Sequence, residues 1–140
     1  MRTNLSADDV ADLLGEPLVA ILATRRPDDT ILLSPVWHEW LDGGFNVWAT
    51  ANDRSKVRHI QRDPRVTIVV ANSDWPYKGI EVRGEARLSQ EGFFDVLGRT
   101  ARRYFGDEMG AGFASSFTEA GYVIRIEPGE LRAWDYTDEA

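Results

Sequence analysis

The chain has 140 residues, a formal net charge of −7 and 43% hydrophobic residues, which together indicate one globular domain spanning residues 1–140. The acidic balance argues against a nucleic-acid-binding protein, because such proteins need a broad basic surface to neutralise phosphates. There is no cysteine, no signal-peptide pattern at the start and no apolar run long enough to cross a membrane. We therefore expect a cytoplasmic protein with no membrane partner, no disulfides and no thiolate chemistry.

The first half of the chain predicts one short helix followed by three strands. Apolar and β-branched runs place these strands at residues 18–24, 31–41 and 45–50. Pro35 lies in the middle of the second strand and marks an edge or a bulge, because proline cannot donate a ladder hydrogen bond. Residues 42–44, Asp-Gly-Gly, predict a tight hairpin turn between the second and third strands.

The second half of the chain predicts helices outside a sheet. Helical spacing covers residues 56–62 and 90–104, and strand patterns cover residues 65–71 and 79–88. A final strand at residues 122–126 is interrupted by Pro128-Gly129 before it resumes at residues 131–134. Residues 106–112 are predicted as a loop and residues 114–120 as a helical turn. Short connections between strands favour a mainly β protein of the α+β kind, a small antiparallel barrel of six strands with flanking helices.

A basic turn between a strand and a helix is the strongest local signal. Arg54, Ser55 and Lys56 lie where the predicted third strand feeds into the next helix, and the free N–H groups of a helix start attract phosphate. The alternative is that these cations belong to a solvated helix face, paired with Asp53 and Asp63. The acidic net charge favours the phosphate site, since concentrated basic residues are an exception in this chain.

Other chemistries find little support in the sequence. His38 and His59 are the only histidines, and neither has a ligand partner at metal spacing, so no metal site is predicted. No serine lies at a spacing that suggests a catalytic triad. An aromatic wall of Trp37, Trp48, Trp75 and Tyr77 near a phosphate site would suit a flat cofactor that bears a phosphate. Core packing is the alternative for these tryptophans, and we favour it for Trp40, Trp48 and Trp134.

Several segments, in their order and spacing, carry a resemblance to a known family. They are Ser34-Pro35-Val36-Trp37, Trp48-Ala49-Thr50, Arg54-Ser55-Lys56-Val57-Arg58, Arg62-Asp63-Pro64-Arg65-Val66 and Glu81-Val82-Arg83-Gly84. The chain resembles the pyridoxamine 5′-phosphate oxidase-like split-barrel family over residues 18–134. It is most similar to the small deazaflavin-dependent branch, whose members are oxidoreductases that use coenzyme F420.

The resemblance implies an FMN-binding type of split barrel and a homodimer with its cofactors at the interface. It assigns the cofactor phosphate to Arg54, Ser55 and Lys56, and the ring to the strand Ser34, Pro35, Val36 and Trp37, with Ala49 and Thr50 beneath it. The loop with Trp75 and Lys78 would approach the cofactor, across the dimer. Because the cofactor carries the hydride chemistry, no catalytic side chain is expected.

Three functions follow from the resemblance as hypotheses. The first is an F420-dependent oxidoreductase that transfers hydride between the reduced deazaflavin and a small conjugated acceptor, quinone-like or tetrapyrrole. The second is an FMN-binding oxidoreductase of the same fold, and the third a non-catalytic flavin or haem carrier. Vitamin B6 oxidation is not expected, because the Arg-x-His pair that ends true pyridoxamine phosphate oxidases is missing. His59 also departs from the family, since many relatives carry asparagine at that position.

Overall fold

An antiparallel sheet of eight strands forms the centre of the protein, in a computed structural model that describes residues 1–140. The strands are β1 (Ala20–Arg25), β2 (Ile31–Val36), β3 (His38–Leu41), β4 (Gly44–Ala49), β5 (Arg65–Ala71), β6 (Lys78–Ser89), β7 (Tyr122–Ile126) and β8 (Glu130–Asp135). Their order is β2-β1-β5-β6-β7-β4-β3, and β8 pairs with β6 outside this path. The predicted α+β split-barrel fold is confirmed.

The long strand β6 joins the two halves of the sheet. Its first residues pair with β5 on one side and β8 on the other, and its last four residues pair with β7. The sheet can therefore curl around one core. The inward side chains alternate along each strand with outward ones, as a half-buried strand requires; fully buried examples are Leu22, Ile68, Ile80, Val82 and Ile124.

The predicted second strand is wrong in one respect, since it is two strands that meet at Trp37. β2 pairs with β1 at the edge of one half of the sheet, and β3 pairs with β4 at the edge of the other half. Pro35 lies on the edge strand β2, opposite Ile21. No strand lies on the other side of β2, so the missing N–H of proline breaks no ladder there. This division, together with the separation of the interrupted last strand into β7 and β8, raises the number of strands from the predicted six to eight.

Four helices cover the sheet. They are α1 (Ala11–Gly15), α2 (Ser55–Arg62), α3 (Phe93–Phe105) and α4 (Asp107–Ser115), and short 3₁₀ turns lie at Asp8–Val10 and Thr137–Glu139. None of these helices has the length and apolar character that a membrane crossing requires.

The loop predicted at residues 106–112 is wrong, because most of it belongs to α4. Gly106 has φ 86°, which turns the chain sharply between α3 and α4. A Cβ at Gly110 would lie 2.5 Å from the Ala101 carbonyl oxygen and the Arg102 Cα. The glycines therefore allow two helices to pack closely, rather than marking a loop.

Candidate functional site

The start of α2 follows the end of β4 and has no capping side chain. Its first N–H groups therefore have no capping partner. Lys56, in the first turn, has a side chain that is only 10% exposed, and its Nζ forms an ion pair with the carboxylate of Asp53. Helix dipole, free N–H groups and one enclosed ammonium thus meet in one place, and together they favour a phosphate or carboxylate ligand.

Beside this helix start lies a cavity of about 310 Å³, which we call the tryptophan pocket. Its lining combines an apolar wall from β2 and β4 with a polar end at the start of α2; the residues are Val19, Pro35, Val36, Trp37, Trp48, Ala49, Thr50, Asp53 and Lys56. Six of the eleven predicted site residues line this pocket: Pro35, Val36, Trp37, Ala49, Thr50 and Lys56.

The two tryptophans of the pocket are fixed by the helices behind them. Trp48 Nε1 donates a hydrogen bond of 3.0 Å to Thr100 Oγ1 on α3. Trp37 stacks on Tyr104 with ring centroids 4.7 Å apart and an angle of 11° between the planes, and it meets Trp48 edge to face at 5.9 Å. The wall of the pocket is therefore rigid, because each indole has a specific partner.

A glycine supports the floor of the pocket. Gly121 precedes β7 and packs against the end of β4, where a Cβ would overlap the Ala49 carbonyl oxygen and approach the Thr50 Cα to 2.9 Å. Ala49 is buried and Thr50 is half-buried. Only a residue without a side chain lets β7 come this close to Ala49 and Thr50.

Arg54 lies on the other side of the same turn from Lys56. It lines a cavity of about 200 Å³, the arginine pocket, whose residues are Ala51, Arg54, Val57, Arg58, Gln61, Gln90, Glu119, Ala120 and Tyr122. Thr50, Asp53 and Lys56 face the tryptophan pocket, whereas Ala51, Arg54 and Val57 face the arginine pocket. The basic turn thus lies between two neighbouring pockets, with Lys56 in the lining of one and Arg54 in the lining of the other.

The remaining predicted residues do not line the tryptophan pocket of this chain. Ser34 is half-buried on β2 opposite Leu22, and Ser55 is exposed at the first position of α2. Trp75 and Lys78 line a third cavity near the C-terminal residues, which we call the loop pocket. Lys78 Nζ lies 3.3 Å from Asp12 and 3.9 Å from Asp135, so this lysine has acidic partners within the chain.

Val19 and Asp53 line the tryptophan pocket and were not among the predicted site residues. Val19 is 52% exposed just before β1, and nothing in the sequence around it indicates a role in binding. Asp53 did give a signal, since it lies three residues before Lys56 and was considered as its partner. Thr100, Tyr104 and Gly121 act behind the wall, where only the tertiary structure shows their contacts.

The two histidines occupy different environments, and neither faces the tryptophan pocket. The side chain of His38 is fully buried, and neither ring nitrogen has a hydrogen-bond partner. Burial, together with the nearby charge of Arg103, lowers the pKa of His38 to about 4. His59 Nδ1 lies 3.1 Å from the hydroxyl of Thr24, and desolvation lowers the pKa of His59, with a smaller effect from the charges of Arg26 and Arg62.

A further cavity of about 460 Å³ lies on the outer face of the sheet and contains none of the predicted site residues. Three arginines line it, and two of them are already paired, Arg65 with Asp63 and Arg83 with Glu130. The tryptophan pocket therefore remains the better candidate, since it combines aromatic rings with an unshielded helix start.

A comparison with family models decides the family. The model described as pyridoxamine 5'-phosphate oxidase matches residues 6–135. The chain belongs to the pyridoxamine 5′-phosphate oxidase family. The family membership predicted from the segments around Trp37, Lys56 and Arg83 is thus confirmed. A comparison with curated proteins finds no match.

Solved structures share the split-barrel fold of this family member. A conserved hypothetical protein from Mycobacterium tuberculosis is 23% identical with a TM-score of 0.81, and the match covers 96% of this chain and 88% of that chain. An F420 reductase is 27% identical with a TM-score of 0.68, covering 86% and 93%. An FAD-binding protein from Mesorhizobium loti is 17% identical with a TM-score of 0.65, covering 94% and 93%. The family fold therefore occurs with flavin-type cofactors, and the F420 reductase is consistent with the deazaflavin-dependent branch.

Proposed function

We propose that the protein is an F420-dependent oxidoreductase that transfers hydride between the reduced deazaflavin and a small conjugated acceptor, quinone-like or tetrapyrrole. The observation that carries this proposal is the tryptophan pocket, in which Trp37 and Trp48 form an apolar wall while Lys56 and an uncapped helix start form the polar end. A flat ring with a phosphate on its side chain needs this combination.

The residues of the pocket fit such a group. A cavity of about 310 Å³ is within the usual range for small-molecule sites. When bound, the deazaflavin supplies the hydride chemistry, and the protein supplies binding and orientation. Lys56 and the first N–H groups of α2 hold the phosphate, while Pro35, Val36 and the two indoles exclude water from the ring.

The pocket offers no acid or base beside its aromatic wall. Asp53 and Lys56 are its only ionisable residues, they are paired with each other, and both belong to the phosphate end. This arrangement supports a reaction in which the chain holds and orients reactants, with no side chain that donates or accepts a proton at the ring.

The arginine pocket favours F420 over FMN. Both cofactors carry a phosphate, but F420 continues into an anionic glutamate tail. Arg54 and Arg58 lie one helical turn apart, line the arginine pocket next to the Lys56 site and form no ion pair in this chain. We assign the tail to these two cations, since charge-assisted hydrogen bonds are among the strong polar contacts.

An exposed apolar face of the sheet supports a homodimer. Val19, Ile31 and Leu33 are 52%, 43% and 63% exposed on or next to the edge formed by β1 and β2. In the proposed dimer, we assign the loop pocket of the second copy, with Trp75 and Lys78, to the neighbourhood of the tryptophan pocket. Leu33→Glu is then expected to give a monomer in sedimentation, whereas Leu41→Glu, at another exposed leucine, is expected to keep the dimer.

The rival hypothesis is a non-catalytic carrier, which would bind the cofactor without turnover. A haem carrier needs an accessible ligand from His38 or His59. The His38 ring is fully enclosed, and the half-buried His59 has the Thr24 hydroxyl 3.1 Å from its Nδ1. A flavin carrier would bind cofactor in the same tryptophan pocket but would not pass electrons on. Oxidation of the bound, reduced cofactor by a panel of quinones and biliverdin would exclude the carrier hypothesis.

A titration with both cofactors tests the proposal. We expect F420 to quench the intrinsic tryptophan fluorescence and to bind more tightly than FMN. Arg58→Ala is expected to weaken F420 binding about tenfold and to leave FMN binding unchanged, because only the tail reaches Arg58. Quenching by FMN alone would replace F420 with FMN, and binding of neither cofactor would end the proposal.

A further inference from the structure

Tyr104 connects three segments behind the tryptophan pocket. Its hydroxyl accepts a hydrogen bond of 3.2 Å from the His38 backbone N–H and donates one of 2.5 Å to the Leu18 carbonyl oxygen. Its ring stacks on Trp37. One side chain in the last turn of α3 therefore contacts the segment before β1 and the junction of β2 and β3.

Trp37 depends on such contacts because the sheet does not hold it. β2 ends at Val36 and β3 begins at His38, so Trp37 is the one residue between them and has no ladder partner. Its indole is in contact with Phe105 at 4.9 Å and Phe113 at 5.5 Å, but neither ring is parallel to it. Tyr104 is the parallel neighbour, and its two hydroxyl hydrogen bonds hold its ring in the position on which the indole stacks.

A second anchor makes the contribution of Tyr104 separable from folding. Arg103 donates a hydrogen bond to the His38 carbonyl oxygen, so the junction stays attached to α3 when the hydrogen bond to the His38 N–H is lost. A phenylalanine at position 104 would keep an aromatic ring of the same shape and lose both hydroxyl bonds, so nothing polar would hold that ring in its place against Trp37. We expect this variant to fold.

We infer that Tyr104 is a positioning residue that sets the plane of Trp37 against the ring bound in the tryptophan pocket. The inference rests on the proposed function, because it concerns the ring half of that ligand. Tyr104 does not line the pocket, so it acts through Trp37. Lys56 is assigned to the phosphate of the same ligand, and the contributions of the ring and of the phosphate to the affinity can be measured separately.

Riboflavin and FMN provide that separation, because they differ only in the phosphate. Tyr104→Phe is expected to weaken the binding of both by the same factor, about threefold to tenfold, whereas Lys56→Ala is expected to weaken FMN only. If flavins do not bind, the ribityl deazaflavin with and without its 5′-phosphate, both lacking the glutamate tail, serves as the pair. Ile68→Val, a buried change on β5, is the control for a general loss of stability.

A double-mutant cycle with Trp37→Leu distinguishes positioning from a merely structural role. In the Trp37→Leu background, Tyr104→Phe is expected to change riboflavin affinity by less than twofold. The same weakening in both backgrounds, no weakening in either, or a loss equal to that of Ile68→Val would overturn the inference.

Binding of no ligand by the wild-type protein would refute the proposed function but still leave a test of the inference. The near-ultraviolet circular dichroism band of Trp37 is defined by the difference between wild type and Trp37→Leu. Loss of this band in ligand-free Tyr104→Phe would support the positioning role. An unchanged band would contradict it.

Discussion

Lys56 and Asp53 form an ion pair inside the pocket that both residues line. The lysine side chain is 10% exposed and the aspartate side chain 45% exposed, so the carboxylate is the more accessible partner of the pair. A phosphate that binds at Lys56 meets an attracting cation and a repelling carboxylate together. The pair keeps Lys56 in place before the ligand arrives, and it lowers the affinity for the ligand.

Asp53→Asn is therefore expected to strengthen the binding of FMN or F420 by about threefold to tenfold. The substitution removes one negative charge next to the phosphate and keeps an oxygen that can accept from Lys56. Fluorescence titration measures the change. Glu108→Gln, which makes the same change of net charge on exposed α4, is expected to have no effect; equal gains in both variants would show that only overall charge matters.

Gly121→Ala is expected to damage the floor of the tryptophan pocket. The added Cβ would overlap the Ala49 carbonyl oxygen, so β4 or β7 must shift. Overpacking of this kind costs about 1–3 kcal/mol, and thermal unfolding together with cofactor titration measures both consequences. Gly98→Ala is the matched control, because nothing lies within 4 Å of its Cβ and alanine favours the helix. Normal stability and affinity for Gly121→Ala would contradict the close approach.

His38 is expected to make the protein less stable as the pH falls from 6.5 to about 4. Its pKa is about 4 in the folded protein and near 6.5 in the unfolded chain, so the unfolded chain binds more protons in this window. The loss reaches about 3 kcal/mol near pH 4 and stops growing below it.

The pH dependence of urea unfolding tests this expectation when wild type is compared with His38→Leu. The substitution removes the titrating ring from a buried site. The free energy of unfolding of wild type minus that of His38→Leu is therefore expected to fall as the pH falls through the window. A difference that stays constant from pH 7 to pH 4 would show that His38 does not titrate on unfolding.

Local patterns were enough to predict much of the fold. The alternation in β5 and β6, the hairpin turn before β4 and the strand-to-helix step at Lys56 all depend on neighbours in sequence, and the structure confirms each of them. The order and spacing of the segments around Trp37 and Lys56 were also enough to predict the family.

The errors came where tertiary packing decides the local structure. The split at Trp37 follows from which strands β2 and β3 pair with, and the helix at residues 107–115 follows from the contact of Gly110 with α3. The position of Arg54 relative to Lys56 also depends on tertiary structure. The sequence predicts that both hold the cofactor phosphate, which stays a prediction, and in the structure they line neighbouring pockets.

The central claim is that Lys56 holds the phosphate of a flavin-type cofactor whose ring lies in the tryptophan pocket. The direct measurement compares FMN and riboflavin, or the ribityl deazaflavin with and without its 5′-phosphate, in wild type, Lys56→Ala and the exposed control Arg102→Ala. Lys56→Ala is expected to weaken the phosphorylated ligand by about 1.5–3 kcal/mol, on the order of ten- to a hundredfold, and to leave the phosphate-free ligand and the control unaffected. Unchanged affinity of Lys56→Ala for the phosphorylated ligand, or equal weakening of both ligands, would contradict the claim.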